Sequence, residues 1–306
     1  MRLRPKRKSF RNLPLYLMML PGLVYIFINN YIPMPGIAIA FKKINYTQGI
    51  WKSPWVGFDN FEFLFKTKDA YVIFRNTICY NLAFIVIGTV LAIAVGILLS
   101  EVSKKTPLKF FQTTILLPFL LSSVLLSYVV YAFLASETGF INANILKPLG
   151  INTVSWYSDA KHWPVILTVV HLWKTVGYNT ILYYAMIVGI DKTYYEAAVV
   201  DGAGIWSQIK NVTLPMLKPT IITLTLMNIG RIFHSDFGLF YQVPMNNGLL
   251  YNATNTIDTY VFRGLMNSND VGRSSAAGFI QAVLGFVLVL SANALTRKLD
   301  KENALF

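Results

Sequence analysis

Residues 76–100 read NTICYNLAFIVIGTVLAIAVGILLS, a stretch without charge between Arg75 and Glu101. About 20 apolar residues in a helix are enough to cross the roughly 30 Å hydrocarbon core of a bilayer. Three other stretches are uncharged over at least that length, and they are residues 12–41, 110–136 and 274–296. The pattern predicts an all-α integral membrane protein.

Two further apolar stretches are interrupted by polar residues. These are residues 163–190, with His171 and Lys174, and residues 219–242, with Arg231, His234 and Asp236. Polar side chains inside a span usually face protein or water rather than lipid. We therefore predict six transmembrane helices in one membrane domain over residues 13–296. The predicted spans lie near residues 13–33, 76–100, 110–134, 163–190, 219–242 and 275–296.

The charges orient the chain in the membrane. Of its 306 residues, 55% are hydrophobic and only 13% are charged, whereas soluble domains carry about a quarter charged residues. Fifteen of the 27 Lys and Arg residues fall in the shorter segments 1–12, 101–109, 191–218 and 297–306, and nine fall in the longer segments on the other side. The positive-inside rule predicts that the basic N-terminus 1–12 and the tail 297–306 are both cytoplasmic. The net charge of +13 then indicates contact with membrane lipid and requires no nucleic acid.

The cytoplasmic segment 191–218 contains a candidate docking element. Asp191 is suited to cap a helix over residues 192–200, and the glycines of the sequence DGAG at 201–204 favour a turn. Residues 205–212 can form a second short helix, which Leu214-Pro215 is expected to end. The prediction is a helix-turn-helix elbow, and the alternative is an ordinary polar connection.

This segment resembles a family motif. Glu196-Ala197-Ala198, Asp201-Gly202-Ala203 and Leu214-Pro215 look like the EAA motif in membrane subunits of binding-protein-dependent ABC importers, with Val212 where isoleucine is more usual. The resemblance implies the type I ABC importer permease fold, with six spans and both termini inside. Three other strings resemble the oligosaccharide and polysaccharide branch, which includes maltose- and alginate-type permeases. They are Tyr31-Ile32-Pro33, residues 55–61 (WVGFDNF) and residues 257–261 (IDTYV).

The resemblance also implies a function and partners. The chain would be a permease subunit of an ATP-driven importer in a bacterial cell membrane, carrying a carbohydrate, expected to be an oligosaccharide, into the cytoplasm. Its partners would be a second related permease, two ATPase subunits and an extracytoplasmic sugar-binding protein. The elbow would be the coupling helix, with the ATPase-coupling residues Glu196, Ala197, Ala198, Asp201, Gly202, Ala203, Leu214 and Pro215.

The sequence predicts a transport subunit rather than an enzyme. It contains no Gly-x-x-x-x-Gly-Lys-Ser/Thr phosphate loop, so ATP and Mg would be used by the partner ATPase subunits. No cofactor is expected on this chain. A metal site is not expected either, because His162, His171 and His234 lack ligand spacing and Cys79 is the only cysteine.

The polar residues within the fourth and fifth spans are candidates for the substrate path. A sugar needs hydrogen-bonding groups together with aromatic faces. The predicted path residues are Trp173, Tyr178, Asn228, Arg231 and His234. The alternative is that Lys174 or Arg231 pairs with Asp236, or with an acid of a partner subunit, to stabilise the helix bundle.

Three other classes of function are alternatives to an importer subunit. A secondary transporter acting without an ATPase is expected to show paired interrupted helices in corresponding halves, and no convincing internal repeat is present. An intramembrane enzyme needs a catalytic pair within the spans, and no catalytic residue is predicted. A purely structural scaffold would leave the elbow without a role.

Overall fold

The computed structural model describes residues 13–299, so the predicted N-terminal segment 1–12 and tail residues 300–306 lie outside the described residues. The described part is helical apart from turns and one isolated bridge between Lys42 and Trp55. Its α-helices are α1 Leu13–Ile26, α2 Gly49–Lys52, α3 Phe63–Lys66, α4 Lys68–Ser100, α5 Lys105–Leu116, α6 Ser123–Leu134, α7 Trp163–Val188, α8 Lys192–Val200, α9 Ile205–Gln208, α10 Leu214–Ile229, α11 Tyr251–Thr254, α12 Ile257–Met266 and α13 Val271–Leu299. Short 3-10 or π turns extend or join them at Phe27–Tyr31, Met34–Phe41, Asp59–Phe61, Leu117–Leu120, Ile141–Leu146, Ala160–His162, Ile209–Thr213, Gly238–Gln242 and Gly248–Leu250.

Within residues 13–299, five helical segments are long and apolar enough to cross a membrane. They are Leu13–Phe41, Lys68–Ser100, Ala160–Val188, Ile205–Ile229 and Val271–Lys298. A sixth crossing is present if the bent pair of Lys105–Leu120 and Ser123–Leu134 counts as one span. The all-helical class predicted from the uncharged stretches is confirmed, with five or six candidate spans.

The predicted third span, near 110–134, is not one straight helix. Its two parts meet at an angle of 97°. Pro118 lies in a short 3-10 turn after α5, and the following Leu121 is extended, with φ −70° and ψ 130°. Ser122 then caps α6, because its side chain accepts a hydrogen bond from the backbone N–H of Leu125 at 3.2 Å. Proline lacks an N–H and serine is a preferred N-cap, so the break follows from local chemistry inside an apolar stretch.

The predicted fifth span, near 219–242, begins and ends earlier in the structure. The helix α10 ends at Ile229, and Gly230 packs so closely on α13 that a Cβ there would lie 2.7 Å from Val289 Cγ2. Residues 231–236 then run as turns and irregular backbone before helical structure resumes at Phe237 and the π turn Gly238–Gln242. The polar residues expected on a helix therefore lie mostly on an irregular segment.

At the other end of α10, Leu214-Pro215 does not stop a helix, contrary to the sequence-based expectation. Thr213 and Leu214 both keep helical angles, with φ −63°. The π turn Ile209–Thr213 joins α9 to α10, and Pro215 lies in the first turn after it. One helical segment therefore runs from Ile205 to Ile229, with Pro215 and Pro219 inside it.

The centre of the fold is the packing of α4 against α7. Gly88, Ala92 and Gly96 are buried one residue in four along α4, and a Cβ on Gly96 would lie 3.3 Å from the backbone nitrogen of Tyr184. Small residues at this spacing allow two membrane helices to approach closely. By contrast, residues 13–35 are exposed along their whole length, so the first candidate span stands apart from this core.

Candidate functional site

Four of the five residues predicted for the substrate path line one cavity. Tyr178, Asn228, Arg231 and His234 surround a space of about 250 Å³ between α4, α7 and the end of α10. The rest of its wall consists of Asn81, Phe84, Ile85, Phe119, His171, Thr175 and Asn179. The cavity wall therefore combines ring faces with hydrogen-bonding groups, and it includes no carboxylate.

The fifth predicted residue, Trp173, lies elsewhere. It borders an apolar groove between α6 and α7, together with Phe133 and Val169. Trp173 precedes Tyr178 by five residues, which places the two side chains about 140° apart around a helix. The structure thus separates Trp173 from the cavity that the other four residues share.

Aromatic contacts of the cavity come from residues that sequence reasoning did not single out. Phe119, in the bend between α5 and α6, stacks on Tyr178 with ring centroids 4.7 Å apart and an angle of 13° between the planes. Phe84 of α4 stacks on His171 at 3.7 Å and 9°. Phe119 could not be placed from the sequence, because only the bend brings it beside α7.

Asn81 fixes the irregular segment that carries Arg231 and His234. Its Nδ2 donates to the carbonyl oxygens of Ile232 at 2.8 Å and His234 at 3.0 Å. Backbone carbonyls released by the end of a helix at membrane depth need new partners, because hydrocarbon provides none. An asparagine well inside the apolar stretch 76–100 was the signal that could have indicated such a role.

His234 has a supported position at the cavity. Its Nδ1 lies 3.8 Å from Oδ1 of Asp258, at the start of α12. Asp258 Oδ2 accepts hydrogen bonds from the backbone N–H of Ser235 at 2.6 Å and from its hydroxyl at 2.8 Å. Gln281 on α13 donates to Oδ1 at 3.1 Å. Asp258 therefore links α12, α13 and the irregular segment that carries His234 and Ser235.

The pKa of Asp258 reflects two opposing effects. Burial alone would raise it, but the nearby His234 ring and the hydrogen bonds from Ser235 and Gln281 together hold the pKa of this carboxyl below its ordinary value of 3.8. Asp258 lies in α12, outside the candidate spans. Its carboxylate is therefore ionised at neutral pH and already engaged by donors of its own chain.

The sequence left open the alternative that Lys174 or Arg231 forms an ion pair with Asp236, and the structure shows no such pair among the described residues. Lys174 donates to Ser123 Oγ at 3.1 Å, and Asp236 accepts from the backbone N–H of Leu239 at 3.1 Å. Within residues 13–299, neither Lys174 nor Arg231 pairs with Asp236. Arg231 is exposed and lines the cavity, and no described residue is an ionic or hydrogen-bonding partner of its guanidinium.

The elbow between α7 and α10 forms as a compact turn. Asp191 caps α8 by accepting from the backbone N–H of Thr193 at 3.0 Å. Gly202 adopts φ +79°, which strongly favours glycine. The N–H of Gly202 then bonds to Val199 O at 3.0 Å and that of Ala203 to Ala198 O at 2.9 Å, the hydrogen-bond pair of a Schellman C-cap.

The two arms of the elbow are also joined to each other. The hydroxyls of Tyr195 on α8 and Thr213 in the π turn lie 2.9 Å apart, and Gln208 Nε2 donates to Ala203 O at 3.0 Å. The arrangement fixes the angle between α8 and the helical segment that begins at Ile205.

The predicted coupling residues divide into two groups in the structure. Glu196, Ala197, Ala198, Asp201, Gly202 and Ala203 lie on α8 and in the turn, whereas Leu214 and Pro215 lie on α10. Sequence reasoning missed four apolar side chains at the turn that are largely exposed, namely Val199, Val200, Ile205 and Trp206. Val200 is 86% exposed and Trp206 84%. Clustered apolar exposure of this kind is typical of surfaces that contact another protein or a membrane.

Most of the chain matches one known protein family. Residues 85–301 match the family described as the inner membrane component of binding-protein-dependent transport systems. The chain belongs to that family. The resemblance inferred from the EAA-like loop is thereby confirmed, and this inner membrane component is a multi-pass membrane protein with the elbow inside the matched region.

Curated relatives of this membrane component span nearly its full length. It is 34% identical over 288 residues to protein LplB of Bacillus subtilis (strain 168), covering 94% of this chain and 90% of LplB. It is 33% identical over 293 residues to the polygalacturonan/rhamnogalacturonan transport system permease protein YteP of the same strain, covering 94% and 89%. YteP is described as a transport system permease.

Solved structures show the same fold. A chain of a bacterial ABC transporter involved in the import of the acidic polysaccharide alginate matches with a TM-score of 0.86 and 31% identity, covering 95% of this membrane component and 97% of that chain. A second structure, an alginate ABC transporter in complex with an alginate pentasaccharide-bound periplasmic protein, gives 0.87 and 30%, covering 98% and 99%. The predicted relation to sugar permeases of the alginate type is confirmed.

Proposed function

We propose that this chain is the permease subunit of an ATP-driven importer that carries an oligosaccharide into the cytoplasm, with both termini on the cytoplasmic side. The observation that carries the proposal is the cavity between α4, α7 and α10, which Tyr178, Asn228, Arg231 and His234 line together. A polar cavity among otherwise apolar spans serves passage of a polar solute.

The chemistry of the cavity wall supports a sugar as the solute. The stacked rings of Phe119 and Tyr178 offer an apolar face for a sugar ring. The carboxamides of Asn179 and Asn228 offer both donors and acceptors for hydroxyl groups. Ligand sites typically combine such apolar faces with a few fixed polar groups, and the similarity to alginate importers supports the same assignment.

The elbow supports coupling to ATPase subunits that use ATP and Mg. Glu196 and Asp201 are exposed beside the uncovered apolar side chains of Val200 and Trp206. A partner groove with apolar walls and basic groups at its rim would match this surface. The helical segment from Ile205 to Ile229 joins the elbow to the cavity without interruption.

Two observations support the other proposed partners, a second permease subunit and a sugar-binding protein. Residues 13–35 find no packing partner in the described chain, which fits a second related permease subunit and surrounding lipid. A structural neighbour was solved with a sugar-loaded periplasmic protein, which supports an extracytoplasmic sugar-binding protein as the donor of the cargo.

Purification from the native membrane tests this function. A tagged chain should recover an ATPase and a second permease, and the complex reconstituted in liposomes with its binding protein should take up an oligosaccharide only when ATP is supplied. Recovery of the chain alone, with uptake driven by an ion gradient in the absence of ATP, would instead identify a secondary transporter.

A further inference from the structure

The cavity wall contains basic side chains but no acidic ones. Its wall carries one guanidinium, Arg231, and two imidazoles, His171 and His234, and none of the lining side chains is a carboxylate. The cavity also lies among helices that are long and apolar enough to span a membrane. Charges are screened less in such surroundings than in water, so an unbalanced cation there has a strong effect on what binds.

Two carboxylates beside the residues of the wall, Asp258 and Asp236, are already engaged. Asp258 accepts from Ser235 and Gln281 behind the His234 ring, and Asp236 accepts from the backbone N–H of Leu239. The nearby ammonium of Lys174 donates to Ser123 Oγ. Arg231 is therefore the charged group of the wall that no described residue has engaged.

A guanidinium has a planar fork of donors that matches a carboxylate in two parallel hydrogen bonds. The stacked pair of Phe119 and Tyr178 lines the same cavity and offers a ring face. A ligand that satisfies both features carries a carboxylate directly on a sugar ring. We propose, resting on the function proposed above, that the cargo is an acidic oligosaccharide and that Arg231 pairs with the carboxylate of a uronic acid residue.

His234 has a supporting role in this proposal. Asp258 holds the ring through Nδ1 at 3.8 Å, which leaves Nε2 as the ring nitrogen available to the ligand. Ser235, the next residue, is fixed by the same carboxylate. The segment that presents Arg231 and His234 is thus held from behind by α12 and α13, while its cavity side is free for a ligand.

The ligand side of the proposal is tested by uptake into liposomes that contain the complete complex and its binding protein. The probes are trisaccharides to pentasaccharides of galacturonic, glucuronic and mannuronic acid, each beside its methyl ester, and neutral oligosaccharides of glucose and galactose. ATP-dependent uptake of at least one acidic probe, tenfold or more faster than its ester, is expected. ATP-dependent uptake of neutral probes alone would overturn the acidic cargo and leave the import function standing. Absence of ATP-dependent uptake for every probe would contradict the import function itself.

The binding protein also selects cargo. Variants of Arg231 distinguish its selectivity from that of the permease. Arg231→Gln should slow uptake of the preferred acidic probe at least tenfold, and Arg231→Lys should retain more than Arg231→Gln. Lys161→Gln is the matched control, because Lys161 borders a different cavity with Arg75 and Cys79. Uptake by Arg231→Gln at the wild-type rate overturns the assignment. So does loss of the second permease from the purified Arg231→Gln complex, since Arg231 would then pair with an acid of that subunit.

Discussion

Asn81 Nδ2 lies 3.0 Å from the carbonyl oxygen of His234, so a side chain of α4 holds the backbone at the point where α10 has ended. The same nitrogen lies 2.8 Å from the carbonyl oxygen of Ile232. This contact gives the cavity a fixed edge although that edge is not part of a helix.

Replacing Asn81 by leucine should therefore destabilise the cavity edge. Leaving a fully buried acceptor unsatisfied costs about 1–3 kcal/mol, so the loss of the part-buried bond to Ile232 and the more exposed bond to His234 should cost about 1 kcal/mol, at the lower end of that range. We expect a lower unfolding temperature of the purified complex and slower uptake. Asn144→Leu is the control, because Asn144 is exposed in a turn remote from the cavity. Equal unfolding temperatures for the two variants would show that Asn81 does not support this edge.

Two glycines of the elbow should respond differently to alanine. Gly202 has φ +79°, whereas Gly204 has φ −72°, and a Cβ at either position meets no atom within 4 Å. Gly202→Ala should cost about 1 kcal/mol through backbone strain alone and reduce the oligosaccharide transported per ATP hydrolysed. Gly204→Ala should leave that ratio unchanged. Identical ratios in both variants would argue against the geometry of this turn as a requirement for coupling.

Trp206 should contribute to the contact with an ATPase subunit. Its side chain is 84% exposed in the chain alone, and burying a large apolar side chain contributes about 2 kcal/mol. Trp206→Ser should weaken ATPase binding roughly 30-fold, measured as the ATPase recovered with the tagged chain over a concentration series. Leu249→Ser, at a 67% exposed residue remote from the elbow in sequence, provides the comparison. Unchanged ATPase recovery with Trp206→Ser would place the docking surface elsewhere.

Gly177 allows the end of α5 to reach α7. A Cβ there would lie 1.8 Å from the carbonyl oxygen of Ile115, which is backbone and has little room to move. Gly177→Ala should thus cost about 1–3 kcal/mol and displace Phe119 from Tyr178. Gly278→Ala on α13 is the control, because a Cβ at that position meets no atom within 4 Å. Thermal unfolding in detergent measures the difference, and equal stability of the two variants would contradict the close approach.

Asp258 should stabilise the protein in a pH-dependent way. Because hydrogen bonds lower its pKa below 3.8, its contribution is complete above that value and is lost as the pH falls through the lowered pKa. The unfolding temperature of Asp258→Asn should accordingly lie below that of the wild type from pH 8 to about pH 5, and the difference should shrink below about pH 4. Asp59→Asn, at an exposed position, should show no such change. A constant difference at every pH would mean that the charge of Asp258 is not what matters.

The long helices could be predicted because an uncharged stretch of 20 or more residues is compatible with lipid. The positions of the helix breaks could not, since they depend on contacts between distant parts of the chain. Gly230 ends α10 where Asn81, about 150 residues earlier, satisfies the carbonyls that follow. Tyr178 and Arg231 line one cavity in the structure, whereas Trp173 borders the groove between α6 and α7, and the sequence does not show which face of α7 packs near α6.

The unbroken helical segment from Ile205 to Ile229 has a mechanical consequence. At the rise of an α-helix, its twenty-five residues form a rod about 37 Å long, which includes the π turn Ile209–Thr213 and Pro219. One end of the rod is the elbow, and at the other the chain turns directly into Arg231. Tilting such a lever by about 10° around its middle moves each tip by roughly 3 Å, which is the length of one hydrogen bond. In the proposed importer, a small displacement at the elbow would therefore be enough to make or break a contact with the cargo.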